Sequence, residues 1–188
     1  MKILNILIKK EKIIKVGRGK FVAPAIQGEI AEGILEITST GRGYVVCEDL
    51  DDDVMVENKY LNKGLHGDIV EVLVGEKKYK NRYEGKVINV LKRNKKVFVG
   101  VFEKNKDYGF VNTRNARMYT DIFIEKEEVK GYKTGETVAV EIKKWEKSNN
   151  SPEGRIVKTF GFESDSLDAY SILYEYGLAP EFEEEVEK

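Results

Sequence analysis

The residues able to do covalent chemistry in this chain are few, and their spacing points away from it. His66 is the only histidine and Cys47 the only cysteine. A loop histidine with no cysteine or second histidine beside it makes a poor metal ligand or triad member, so His66 reads as structural. Cys47 is flanked by Val45, Val46 and Leu50 and reads as buried rather than nucleophilic. Asp49, Asp51 and Asp53 begin like an EF-hand loop. The glycine position of such a loop holds Val54 and its bidentate-acid position holds Tyr60, which leaves a solvated acidic turn. Gly17-Arg18-Gly19 and Gly41-Arg42-Gly43 are too short to cradle phosphates as a P-loop does, though each can bring an arginine near a nucleic-acid backbone. The chemistry these residues do favour is stacking. Lys106-Asp107-Tyr108-Gly109-Phe110-Val111 puts Tyr108 and Phe110 on one face of a strand. In Asp121-Ile122-Phe123-Ile124, two isoleucines entering a core would leave Phe123 outside. Two readings fit these rings: ordinary strand core, or an exposed platform on which bases stack.

The elements that must position them are short strands. Ile34 to Ile37, Gly43 to Val46, Val54 to Val56, Asp68 to Val74 and Glu84 to Leu91 alternate or run apolar between turn residues, and Leu61 to Gly67 reads as a linker with a short helical turn at most. The pattern then repeats. Asp53-Val54-Met55-Val56 returns as Asp121-Ile122-Phe123-Ile124, and Gly67-Asp68-x-Val70-x-Val72 as Gly135-Glu136-x-Val138-x-Val140. Glu84-Gly85-Lys86-Val87 returns as Glu153-Gly154-Arg155-Ile156, and Gly43-Tyr44-Val45 as Gly109-Phe110-Val111. The shift stays near 68 residues throughout. The expected fold is mainly β: two tandem five-stranded barrels of OB, cold-shock-like type at 28–92 and 95–161. Residues 1–25 read as a helix (Ile3, Leu4, Leu7, Ile8) and a β-hairpin, either the back end of a winged helix or an arm packed on the next domain. Residues 162–188 read as a short helix near Asp168 to Tyr176, stopped by Gly177, and a Glu-rich linker.

Tandem small barrels with exposed aromatics and interleaved cations suit single-stranded RNA. In the second barrel the rings are Tyr108, Phe110 and Phe123, with Phe102 and Tyr119 nearby, and Lys104, Lys106, Arg114 and Arg117 supply phosphate contacts. In the first barrel Arg42, Tyr44 and Met55 stand in equivalent places, a thinner platform. Trp145 is expected to pack over the barrel end. The net charge of −1 over 188 residues masks a basic stretch from Lys2 to Lys20 and an acidic end from Glu181 to Glu187. No apolar run reaches the roughly 18 residues of a membrane span. A single cysteine fits a reducing cytoplasm, and the expected state is a monomer.

The repeats resemble the paired cold-shock-type OB domains of the ribonuclease R and ribonuclease II family. Asp107 to Val111 and Asp121 to Ile124 resemble the two cold-shock RNA motifs, and Leu65-His66-Gly67-Asp68-Ile69-Val70 resembles the first-barrel signature. Pro152 to Ile156, Phe160-Gly161 and Ile172 to Phe182 are similar to the close of the second barrel and the linker beyond it, and Leu4 to Pro24 to the end of a winged helix. The resemblance implies RNA-guiding domains of a 3′→5′ exoribonuclease. It also implies that the Mg²⁺-dependent catalytic domain lies outside these residues, so that the fragment itself is neither an enzyme nor a holder of a metal or cofactor. Two other classes remain open: a stand-alone cold-shock RNA chaperone and a protein-interaction adaptor.

Overall fold

Strands form here because branched side chains recur at every second position, and each barrel closes by turning that set inward. The computed structural model describes residues 14–17, 20–22, 28–77, 82–146, 149–162, 171–174 and 176–178. Strands β1 (Ile14–Gly17) and β2 (Lys20–Val22) pair antiparallel as a hairpin. The first barrel is built from β3 (Glu29–Ile37), β4 (Gly43–Val46), β5 (Val54–Val56), β6 (Ile69–Lys77) and β7 (Tyr83–Lys92). The second follows with β8 (Val97–Lys104), β9 (Gly109–Asn112), β10 (Ile122–Ile124), β11 (Glu136–Lys144) and β12 (Glu153–Phe162).

The two barrels close in the same cyclic order, β3-β4-β5-β7-β6 and β8-β9-β10-β12-β11. In each, the third and fifth strands pair in parallel, β5 with β7 and β10 with β12. The residues that mark the sequence repeat form the two cores. Val45, Val54, Val56, Val70 and Val72 are fully buried, and so are Val111, Ile122, Ile124, Val138 and Val140. Each such side chain contributes about 1.5–3 kcal/mol relative to exposure. The repeated glycine at the head of β4 and β9 has a packing reason. A Cβ on Gly109 would stand 2.3 Å from Phe102 Cε2, and one on Gly43 would stand 2.7 Å from Leu61 Cδ2.

Strands β3 and β6 run longer than the sequence indicates. They pair along their whole shared length, from Glu29 with Val74 to Ile34 with Ile69. The added residues of β3 are mostly exposed, so they carry little apolar signal. Between β5 and β6, a 3-10 turn at Asn58–Tyr60 leads to the buried Leu61 and Leu65. Here His66 plays the structural role expected of it: its Nδ1 accepts the Ile37 N–H at 3.0 Å. The buried Asp68 accepts the Leu65 N–H at 2.7 Å and so fixes the turn into β6.

The expected N-terminal helix and the hairpin tip at residues 18–19 lie outside the described residues. Residues 171–174 are helical. Gly177 at φ 68° ends this helix, with Leu178 N–H donating to Leu173 O and Gly177 N–H to Tyr174 O, a Schellman pattern. The start proposed near Asp168 lies outside the described residues.

Candidate nucleic-acid interface

Strand pairing brings the aromatic residues of the second barrel to one place. On β9 Gly109 and Val111 turn inward and Phe110 outward; on β10 Ile122 and Ile124 turn inward and Phe123 outward. Phe110 and Phe123 are direct cross-strand partners, with ring centroids 5.6 Å apart and planes at 65°. Tyr108 stands just before β9 rather than on it, in a tip closed by the Asn105 N–H donating to Tyr108 O. Its ring still lies 5.7 Å from Phe110 and 5.8 Å from Phe123. Contacts of this kind fix ring positions and add about 0.5–1.5 kcal/mol beyond burial. Phe110 and Phe123 are half-buried and Tyr108 is 40% exposed. The outer sheet face therefore offers three ordered π surfaces to a planar ligand.

Cations bracket the rings along the strand direction. Lys106 lies exposed in the β8–β9 tip, beside Asp107, whose carboxylate pairs with Lys126 at 2.8 Å. Arg114 and Arg117 lie exposed in the loop beyond the other end of β9. That loop is closed at its base by Asn112 Nδ2 donating to Asp121 Oδ1 at 3.1 Å, and within it the Arg117 N–H donates to Asn115 Oδ1.

Two residues grouped with this surface in the sequence belong elsewhere. Phe102 is fully buried and packs edge-on against Tyr132 inside the barrel. Lys104, two positions on, follows the same strand parity. Its ammonium donates to the carbonyls of Val129 (3.2 Å) and Tyr132 (3.4 Å), and its backbone N–H to Thr134 Oγ1. The ammonium thus ties down the loop after β10. Trp145 is half-buried, donates from Nε1 to Asn149 O and lies beside Tyr119, whose ring is 6.2 Å away.

The first barrel repeats the layout with poorer stacking groups. Tyr44 on β4 is half-buried and faces Met55 on β5, as Phe110 faces Phe123. Arg42 lies exposed just before β4, at the position that Tyr108 holds before β9.

A further feature enlarges the repeat, which already matched Glu84 with Glu153 in the sequence. A glutamate stands on each side of both pairs at the same register. Glu103 is the cross-strand partner of Phe110 and Glu153 that of Phe123. Glu36 and Glu84 partner Tyr44 and Met55 in the same way. Glu103 and Glu36 are exposed, whereas Glu153 is buried against Lys144 at 3.0 Å. Extending the repeat to outward residues would have added Glu36 and Glu103 to Glu84 and Glu153.

Cys47 is buried; burial first, then the charges of Asp53 and Asp49, push its thiol above the ordinary range. The acidic turn carrying Asp49, Asp51 and Asp53 is exposed. Among the described residues no three His, Cys, Asp or Glu side chains come together as a metal-holding group. No helix among them is long and apolar enough to cross a membrane.

Comparison with known proteins matches one family in each barrel. The family described as Ribonuclease B OB domain matches residues 33–90, and the family described as Cold shock domain matches residues 110–183. Ribonuclease R of Thermotoga maritima is 28% identical over 183 residues, which cover 96% of this chain and 25% of that protein. Ribonuclease R of Mycoplasma genitalium, solved in complex with ribose-methylated single-stranded RNA, superposes with a TM-score of 0.71 at 21% identity. That match covers 81% of this chain and 25% of the other. Yeast Ssd1, a pseudonuclease, superposes at 0.68 with 18% identity over 92% of this chain and 26% of its own. The chain spans about a quarter of the length of these proteins.

Proposed function

The chain belongs to the ribonuclease R family, whose OB and cold-shock domains it carries in tandem, and from that premise we propose that it grips and guides single-stranded RNA. The observation that carries this reading is the outward cluster of Tyr108, Phe110 and Phe123, with ring centroids 5.6–5.8 Å apart and cations beyond both ends. Bases stack on such rings for roughly 1–3 kcal/mol each, and every base has a π face to offer. Lys106, Arg114 and Arg117 take the phosphates, and their contribution weakens with salt. In the first barrel Tyr44 and Arg42 form a second RNA-contacting surface of their own, with less stacking because Met55 stands where the second barrel has a ring.

Hydrolysis, 3′→5′ and Mg²⁺-dependent as the family resemblance implies, is assigned to a catalytic domain outside these 188 residues. The barrels work upstream of it, holding the strand so that it advances in one direction. The same reading has a monomer acting in the cytoplasm with Cys47 reduced.

The test is fluorescence anisotropy of a labelled 12-nucleotide RNA titrated with the full chain at several salt concentrations. The expected result is saturable binding whose log affinity falls linearly with log salt, by about 0.7 per phosphate contacted. The same sequence annealed into a duplex should bind more weakly, because its bases are not free to stack. Salt-independent binding, or equal affinity for duplex and single strand, would overturn the assignment.

A further inference from the structure

The outward row across the second barrel reads Glu103, Phe110, Phe123, Glu153, on four successive strands. Neighbouring strands are about 4.8 Å apart, so a base stacked on Phe110 brings its edge within reach of a side chain on β8. A carboxylate there is unfavourable for a phosphate track, since it repels the backbone. It is favourable where a base edge arrives. Glu103 is exposed, and no ion pair among the described residues engages it, unlike Glu153, which Lys144 covers. The first barrel has the same arrangement, with the exposed Glu36 beside Tyr44. The position is therefore a property of the module in both copies.

An ionised carboxylate only accepts hydrogen bonds, through two oxygens side by side. Its best partner presents two donors side by side. Guanine does so on its Watson–Crick edge, with N1–H and the N2 amino group. Adenine and cytosine set one amino group beside a ring-nitrogen acceptor, and uracil sets one N–H between two carbonyl oxygens. A single-stranded base stacked on a ring leaves that edge free to be read. Phosphate contacts position a strand and base-edge contacts specify it.

We propose that Glu103 is a specificity-determining residue that accepts paired hydrogen bonds from the Watson–Crick edge of a guanine stacked on Phe110. The second barrel then prefers guanine at one position of an otherwise sequence-tolerant track. This rests on the RNA-binding reading above.

The experiment is anisotropy with the full chain and labelled octauridylate carrying G, inosine, A or C at one central position. Inosine keeps N1–H and lacks the amino group, so it isolates the second hydrogen bond. The expected result is about tenfold tighter binding of the G oligomer than of the inosine oligomer, in the range of a good bidentate pair. Glu103→Gln should abolish that difference while binding to plain octauridylate stays within about twofold, because stacking is untouched. Circular dichroism of the variant should match the parent. Equal binding of G and inosine oligomers overturns the proposal. So does a Glu103→Gln variant that gains affinity for every oligomer by one factor, since the carboxylate would then act only by repelling phosphates. If the oligomers bind saturably and Phe110→Ala weakens them all without any guanine preference, this inference fails while the RNA-binding reading stands. If none binds, both fail together.

Discussion

Phe110 on β9 and Tyr44 on β4 hold the same register position in two barrels, each opposite a glutamate on the preceding strand. What differs is the residue across from them: Phe123 beside Phe110, Met55 beside Tyr44. A thioether is apolar but has no π face. Met55→Phe should therefore complete the first platform and strengthen single-stranded RNA binding by about 1 kcal/mol, the lower end of what one stacked base contributes. Tyr44→Ala should cost less than Phe110→Ala. Isothermal titration of the three variants and the parent with one RNA checks both expectations.

Lys104 and Lys106 should separate cleanly. Lys104 donates to two backbone carbonyls, so Lys104→Ala should lower stability by about 1 kcal/mol in urea denaturation and leave the salt dependence of RNA binding unchanged. Lys106→Ala should leave stability within about 0.5 kcal/mol and reduce the slope of log affinity against log salt by about 0.7. Equal behaviour of the two would contradict the placement of Lys104.

The reason Lys104 was not legible in the sequence is local. Val97, Phe98, Val99, Val101 and Phe102 are apolar on both faces of β8, so alternation does not say which face is inside. The tip at Asn105–Tyr108 fixes the register instead, sending Phe102 inward, Lys104 to the carbonyls of the loop after β10, and Glu103 outward beside Phe110. Tyr108, Phe110 and Phe123 were legible because Val111, Ile122 and Ile124 are unambiguous inward residues, and the repeat located them a second time as Val45, Val54 and Val56. The flanking glutamates Glu36 and Glu103 were hidden for the opposite reason. Outward charged residues look like any solvated face until cross-strand partners are known.

Gly109 should not tolerate a methyl group. A Cβ would meet the Phe102 ring at 2.3 Å and the Glu103 carbonyl at 3.0 Å, and the Phe102 side chain is fully enclosed. Gly109→Ala should cost about 1–3 kcal/mol through overpacking. It should also weaken RNA binding, since the strand it displaces carries Phe110. Thermal denaturation and anisotropy on the same preparation test the two effects.

Cys47 should resist alkylation in the folded chain. Burial and the nearby Asp53 and Asp49 charges hold the thiol protonated to a higher pH than in the unfolded chain. The reactive thiolate is therefore scarce at pH 8, and iodoacetamide should modify the native protein far more slowly than the urea-unfolded one. The sign for stability follows. The contribution is intact below the unfolded thiol's pKa of about 8.5 and is lost as pH rises from there through the higher folded value.

The central claim is that Phe110 and Phe123 stack on bases, and the double variant Phe110→Ala, Phe123→Ala tests it most directly. Both side chains face outward, and Val111, Ile122 and Ile124 of the core stay in place, so the barrel should remain folded by circular dichroism. Anisotropy with a 12-nucleotide single-stranded RNA should show a loss of about 2–4 kcal/mol with an unchanged salt slope, because two stacking sites are gone and the phosphate contacts remain. A folded double variant that binds this RNA as tightly as the parent would contradict the account.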